Sequence, residues 1–297
     1  VAWVGPVVML YGTDAQKRDY LTGIASGEQL WCTLYSEPAA GSDLAALQTR
    51  AVRDGDDYVI NGQKIWTTFG HYADWGWLAA RTDPNAPKHK GISTFAVRMD
   101  SPGITVRPLL NMAGSHEFNE IFFEDVRVPA ANLVGEENRG WYNVAVGLDF
   151  ERSSIGATSN ARRNVDDLIR YGREHGNDGT SRLFREPSIR NELADRYVEV
   201  HVARLMSYRV VSMQAKGLIP NHEASMTKLF TTELSQRIAR TGVKLLGLYG
   251  QIYGERAPMR GRFERMYLQT VSSTIAGGTS EIQRNIIATR GLGLPRD

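Results

Sequence analysis

The sequence predicts an α+β protein: an antiparallel β-barrel-like middle domain followed by an antiparallel helical bundle. Two observations predict it. Between Thr33 and Leu133 short apolar runs alternate with period two and are broken by the turn dipeptides Asp54-Gly55 and Asn61-Gly62. After Gly135-Glu136 the apolar spacing changes to three and four residues, which is the period of helices that bury one face.

Taken in order, Val1 to Pro6 read as the tail of a helix entering a turn, with no initiator methionine and no helix-start signal. The chain is therefore expected to lack its natural beginning. Residues 58–60 and 64–67 are expected as paired hairpin strands joined at Asn61-Gly62, with further strands at 75–80, 93–98 and 121–128. Helices are expected at 141–173, 188–216 and 224–248, with breaks at 176–179, 217–220 and 254–258 that suit antiparallel neighbours. The domains are set at 1–32 (the end of a helical domain), 33–134 (β) and 135–297 (bundle).

Composition narrows the function classes. The 297 residues are 42% hydrophobic and 23% charged, which suits a globular protein of about two domains. Net charge is only +2 and the basic residues are interspersed with acids, so nucleic acid and anionic membranes are disfavoured as partners. No apolar run reaches membrane-spanning length and no secretory signal is present, so membrane insertion is not expected. The single cysteine, Cys32, cannot form an intrachain disulfide, and a reducing cytoplasm fits best. No metal site is expected.

Four segments carry chemistry. Val144, Leu148, Glu151, Ile155 and Thr158 fall three or four residues apart, which turns Glu151 toward the interior. A buried carboxylate must be paired, bound or used, so Glu151 is either a salt-bridge residue or a general base. Glu37-Pro38-Ala39-Ala40-Gly41-Ser42-Asp43 is a loop of small residues, either a plain turn or a site where main-chain N–H groups and the hydroxyls of Ser36 and Ser42 meet a phosphate or polar ring. In Ile65-Trp66-Thr67-Thr68, alternation sends Trp66 and Thr68 to one face, suited to a flat heteroaromatic ligand or to ordinary cross-strand packing. Ala276-Gly277-Gly278-Thr279-Ser280-Glu281 precedes a short helix with Thr279 as N-cap, again either a ligand-facing turn or simple capping.

Together these segments resemble the acyl-CoA dehydrogenase family in order and spacing. Ser36 to Asp43 is similar to its Thr/Ser-Glu-Pro-x-Ala-Gly-Ser-Asp loop, Asn61-Gly62-Gln63-Lys64-x-Trp66-x-Thr68 to its flavin-facing strand, and Gly278-Thr279-Ser280-Glu281-Ile282-Gln283-Arg284 to its closing helix. The family fold is a helical domain, a β domain and a second helical bundle, of which this chain resembles the end of the first and all of the rest.

The resemblance implies an FAD enzyme of lipid catabolism and β-oxidation that converts an acyl-CoA to a trans-2-enoyl-CoA. It implies that Ser36 and Thr68 hydrogen-bond the flavin ring, that Trp66 packs near it, and that Ser42 reaches the pyrophosphate and the substrate side. Thr279 and Glu281 would sit by the adenosine half. Most relatives place the catalytic glutamate immediately before Gly-Thr in the closing segment, where this chain has Gly277. A minority, including the isovaleryl-CoA type, use a glutamate in a Leu-x-x-Glu-Arg helix, which Leu148 to Arg152 resembles, with Arg152 beside the substrate. Glu151 is then the expected base. The Gly277 amide would receive the thioester oxygen, hydride would pass to flavin N5, and electron-transfer flavoprotein would take the electrons.

Two departures from the family pattern bear on assembly. The family's Arg-x-x-Phe-Gly stretch aligns with His175-Gly176-Asn177-Asp178-Gly179, and its glutamine-diglycine stretch with Lys244-Leu245-Leu246-Gly247-Leu248-Tyr249-Gly250. Both belong to cross-subunit contacts in relatives, so a homo- or hetero-oligomer is expected, with a second dehydrogenase-like subunit as one partner. A non-catalytic, FAD-sharing subunit and an acyl-CoA oxidase of the same fold are the alternatives.

Overall fold

The computed structural model describes residues 3–151, 155–175 and 186–295. The chain divides into two compact units, Val1–Glu151 and Arg152–Asp297.

The first unit opens with a helix, Val4–Tyr11 (α1), where the tail of a helix was expected. Pro6 lies in its first turn, where a missing N–H removes no intrahelical hydrogen bond, so proline does not stop the helix there. Asp14–Gln16 (α2), a π turn at Lys17–Leu21 and Thr22–Ser26 (α3) follow. Thr13 caps this run reciprocally with Gln16.

Among the described residues eight strands form one mostly antiparallel sheet: Trp31–Leu34 (β1), Arg50–Asp54 (β2), Asp57–Thr68 (β3), Trp75–Arg81 (β4), Ile92–Arg98 (β5), Ile104–Leu110 (β6), His116–Pro129 (β7) and Leu133–Val134 (β8). Their order is β6-β7-β3-β2-β4-β5-β8, with β1 paired to β4. The β1–β4 pairing is parallel, from Trp31 opposite Trp75 to Leu34 opposite Leu78, which departs from the all-antiparallel expectation. Connecting two parallel strands needs a long crossover, and the chain from 35 to 74, carrying β2 and β3, supplies it.

Asn61-Gly62 is a bulge, not a turn. β3 runs continuously through it and pairs with β7 on both sides, with a register shift between Ile60 and Gly62. Gly62 has φ 151°, and a Cβ there would stand 2.6 Å from Thr49 Oγ1, so glycine serves close approach. Asn61 exchanges hydrogen bonds with Asp125: its Nδ2 donates to Oδ1, and its Oδ1 accepts from the Asp125 amide, both at 2.9 Å. The hairpin turn lies at Asp54 to Asp57, with Gly55 at φ 63°.

Gly140–Glu151 (α4) docks on the sheet through Asn143, whose Nδ2 donates to Thr94 Oγ1 at 2.8 Å and Val134 O at 3.0 Å. A Cβ at Gly140 would meet the Ser93 backbone at 2.6 Å, so the helix begins against β5. Two cores fill the unit: Leu34, Tyr58, Leu78, Phe95 and Ile121 in one, Val7, Trp77, Ile92 and Val144 in the other.

The second unit is helical: Ile155–Glu174 (α5), Pro187–Ala215 (α6), His222–Leu246 (α7), Arg262–Ser273 (α8) and Ser280–Ile286 (α9), ending in a π turn at Ile287–Gly291. Leu168, Leu193, Val200, Leu234, Ile238 and Phe263 build its core. α7 and α8 approach closely because Gly242 has no side chain; a Cβ there would lie 2.2 Å from Phe263 Cδ1. The expected single helix over 141–173 is represented by α4 and α5, with 152–154 between them outside the described residues. Among the described residues no helix is long and apolar enough to cross a membrane.

Candidate functional site

Lys64 lies on the inward side of β3 with none of its side chain exposed. Its Nζ donates to Glu37 Oε1 at 2.7 Å and to the Tyr35 carbonyl at 3.0 Å. Glu37 in turn accepts from the amides of Gln48 at 2.6 Å and Thr49 at 2.9 Å. Arg81 ties down the same loop from β4 by donating to the Ala45 carbonyl at 2.6 Å. The ion pair thus holds both ends of the chain from 35 to 49 against β3, Lys64 at Tyr35 and Glu37 at Gln48 and Thr49.

The electrostatics follow from burial. Burial alone would raise the Glu37 carboxyl, but the Lys64 charge and the hydrogen bonds from Lys64, Thr49 and Gln48 outweigh it and hold it below its ordinary value. Burial brings the Lys64 ammonium down to about 8, against an opposing pull from Glu37. No exposed side chain is needed to define this staple, and its effect is to fix backbone.

That backbone carries three of the expected site residues. The Ile65 amide donates to the Ser36 carbonyl at 2.9 Å, setting half-buried Ser36 beside the strand that bears Trp66 and Thr68. Trp66 is 58% exposed and Thr68 is exposed, with buried Thr67 between them. A second register shift, between Lys64 and Thr67, puts Trp66 at φ 61°, a left-handed conformation that a bulky residue adopts at a cost of about 1–3 kcal/mol. Its indole meets Phe118 edge-on, centroids 5.9 Å apart. Ser42 stands further along the stapled loop, exposed, next to Asp43, which pairs with Lys88 at 2.7 Å.

In the second unit the Gly277-Gly278 turn is also held from beneath. Both glycines have positive φ, 65° and 90°. Gln283 Nε2 donates to the Gly277 carbonyl at 3.0 Å and the Gly278 carbonyl at 3.3 Å, and Lys228 Nζ from α7 donates to the Gly278 carbonyl at 2.6 Å. Thr279 is the expected N-cap, its Oγ1 accepting from the Ile282 amide at 3.2 Å. Its neighbour Glu281 is held below the usual carboxylate range by its own amide, by Thr279 and by nearby Arg284 and Lys228. Thr279, Ser280 and Glu281 border a cleft of about 440 Å³ with Arg237, Arg240 and Arg284.

Ser36, Ser42, Trp66, Thr68 and Glu151 fall in the first unit, and Arg152, Gly277, Thr279 and Glu281 in the second. Glu151 is the last residue of α4. Its side chain, Arg152 and residues 176–179 lie outside the described residues. Of the stripe that pointed to Glu151, Val144 and Thr158 are buried and Leu148 is partly buried. Lys244 pairs with Glu192 at 2.6 Å, and Leu245 and Leu246 are core residues.

These residues suit the FAD that the family resemblance implies. An exposed indole beside hydroxyls matches a flat ring with a polar edge. Ser280 Oγ and Gln283 Oε1 are buried with no hydrogen-bond partner among the described residues, which leaves polar capacity at the Gly-Gly turn. Sequence reasoning missed the groups beneath the surface: Glu37, Lys64, Lys228 and Gln283. A signal existed for one of them, since Lys64 takes an inward position of β3 where an apolar residue is the norm.

The comparisons with known proteins agree with one another. The family profile "Acyl-CoA dehydrogenase, middle domain" matches residues 32–126, and "Acyl-CoA dehydrogenase, C-terminal domain" matches residues 138–292. Acyl-CoA dehydrogenase FadE26 of Mycobacterium tuberculosis is 40% identical, over 99% of this chain and 75% of that protein. The solved structure of the Tcur3481-Tcur3483 steroid ACAD is similar with a TM-score of 0.93 and 38% identity, covering 100% of this chain and 76% of that one. The ChsE4-ChsE5 complex from Mycobacterium tuberculosis is similar with a TM-score of 0.90 and 40% identity, covering 99% and 76%.

Proposed function

The chain belongs to the acyl-CoA dehydrogenase family of oxidoreductases, and from that premise we propose that it dehydrogenates an acyl-CoA thioester between carbons two and three. Bound FAD supplies the hydride acceptor for such a reaction. Glu151 removes the proton from carbon two, and the Gly277 N–H donates a hydrogen bond to the thioester oxygen as negative charge develops there. A left-handed backbone at Gly277, with the carbonyls of Gly277 and Gly278 tied back by Gln283 and Lys228, supports that role for the amide.

Ser36 and Thr68 hydrogen-bond the ring edge in this reading, Trp66 packs beside it, and Ser42 serves the pyrophosphate and the substrate side. Thr279 and Glu281 hold the adenosine half, and Arg152 flanks the substrate. The β segment 33–134 then carries the ring and acyl side, and 135–297 the base and the adenosine contacts. The observation that carries the reading is the hydrogen bond from Ile65 to Ser36 at 2.9 Å, which joins two motif segments beside an exposed indole.

A steroid-bearing acyl group is the substrate class we place first, because the similar solved structure Tcur3481-Tcur3483 is a steroid ACAD. Two of the similar solved structures, Tcur3481-Tcur3483 and the ChsE4-ChsE5 complex, pair two proteins, which supports assembly with a second dehydrogenase-like subunit. Electron-transfer flavoprotein is the proposed acceptor, and the cytoplasm the proposed location.

Anaerobic addition of straight-chain, branched and steroid acyl-CoAs to the purified protein tests this. Bleaching of the flavin bands, fastest with the steroid thioester, is expected. Flavin that never bleaches, or a protein that takes up no flavin even with its natural partner, would overturn it, and steady oxygen consumption would favour an oxidase.

A further inference from the structure

Trp66 and Phe69 both hold left-handed backbone, φ 61° and 52°, within four residues, although neither is glycine. Such strain persists only where surrounding contacts over-determine it. The clamp lies directly beneath, on β7. Thr67 pairs with Asn119 across the sheet, and the Asn119 side chain, fully buried, donates from Nδ2 to the Thr67 carbonyl at 3.0 Å. Two residues further, the Phe69 amide donates to the Glu117 carbonyl at 2.7 Å.

Asn119 is itself held from two sides. Its Oδ1 accepts from His116 Nε2 at 2.8 Å, and His71 Nδ1 lies 3.1 Å from its Nδ2 and 3.2 Å from its Oδ1. The His71 and His116 rings stack with centroids 4.0 Å apart and planes 19° apart. Because a carbonyl can only accept, Thr67 decides which way the amide faces, and His116 completes the match on the other side. A Cβ at Gly70 would lie 2.9 Å from Thr67 Cγ2 and 3.5 Å from Asn119 Nδ2, so the loop from Phe69 to His71 closes tightly over the same group.

We propose that Asn119, oriented by the stacked His71–His116 pair, is a positioning residue that fixes the strained backbone from Trp66 to Phe69 and thereby the grip of Trp66 and Thr68 on the flavin ring. This rests on the assignment of Trp66 and Thr68 to the flavin. The amide donates to Thr67 and accepts from His116 at once. A carboxylate in its place would set acceptor against acceptor at the Thr67 carbonyl.

The test uses Asn119→Asp, His116→Phe and Thr68→Ala, with the FAD dissociation constant and the circular dichroism of the flavin bands as readouts. Asn119→Asp is expected to weaken FAD binding about tenfold, the equivalent of one buried hydrogen bond, and to shift the flavin dichroism in the manner of Thr68→Ala. His116→Phe keeps a ring on His71 but removes the Nε2 donor, and is expected to give the same shift at smaller size. If Asn119→Asp does not fold, His116→Phe decides alone. A lowered melting temperature with unchanged FAD affinity and dichroism would overturn the proposal and leave a purely structural clamp. Thr68→Ala without effect on either readout would instead overturn the flavin assignment, and this inference with it.

Discussion

Lys64 Nζ lies 2.7 Å from Glu37 Oε1 in the interior of the sheet unit, with both side chains buried. The pair joins two segments 27 residues apart and brings their backbones into register at Ser36 and Ile65. A buried ion pair is weak evidence for stability in itself, since desolvation offsets much of the attraction. Its evident product here is geometry: a loop and a strand that must meet at one place do so.

Removing one partner strands the other. Lys64→Met is expected to destabilise the protein by about 3–5 kcal/mol, because Glu37 is left as an unpaired buried carboxylate. The double variant with Glu37→Gln should recover a large part of that loss. Urea unfolding of the three proteins checks this; equal stability of the single variant and wild type would contradict it.

The pair also sets a pH dependence with a definite sign. Glu37 has a carboxyl held below its ordinary value in the folded protein, so the folded state binds this proton less readily than the unfolded state. Its contribution is fully present above the unfolded value and is lost as pH falls through the folded one. Glu37→Gln is therefore expected to flatten the acid limb of a stability-against-pH curve. Lys64 adds a slope of the same sign at higher pH: with its ammonium lowered from 10.5 to about 8, the unfolded chain holds more protons across that interval, and the cost of burying the charge is relieved as pH rises through it.

The two turn glycines should respond differently to the same change. A Cβ at Gly278 would stand 2.6 Å from Gln283 Nε2, whereas at Gly277 the nearest atom is Lys228 Cε at 4.0 Å. Both positions have positive φ, so each alanine pays backbone strain of about 1 kcal/mol. Gly278→Ala must also displace Gln283, and is expected to lower the melting temperature further and to weaken FAD binding more than Gly277→Ala. Equal effects on both readouts would show that Gln283 does not hold the turn.

Much of this was legible in the sequence, and the failures have physical reasons. The change of period near residue 135 marked the passage from sheet to helix, and Thr279 was a recognisable cap. Asn61-Gly62 misled because the dipeptide that favours a tight hairpin also suits a bulge, and only the approach of Thr49 decides between them. β1 was missed because a four-residue strand in parallel pairing has little alternation to read. α8 went unread although Phe263, Met266, Tyr267 and Val271 stand at helical spacing, because it is only 12 residues long and follows a glycine-rich stretch. The motifs named the surface of the site, Ser36, Trp66 and Thr68. They did not name its supports, because Lys64, Asn119 and Lys228 are polar residues whose burial is decided by partners remote in sequence.

Glu151 carries the chemistry in this account, and the most direct measurement is anaerobic flavin reduction by Glu151→Gln, supplied with the acyl-CoA that bleaches the wild type fastest. If Glu151 is the base, the variant keeps an unaltered flavin spectrum and affinity while its reduction is slower by at least about 10²-fold, the contribution expected of a positioned base. Reduction at the wild-type rate would contradict it, and would make Glu151 the salt-bridge residue that its helical position alone also allows.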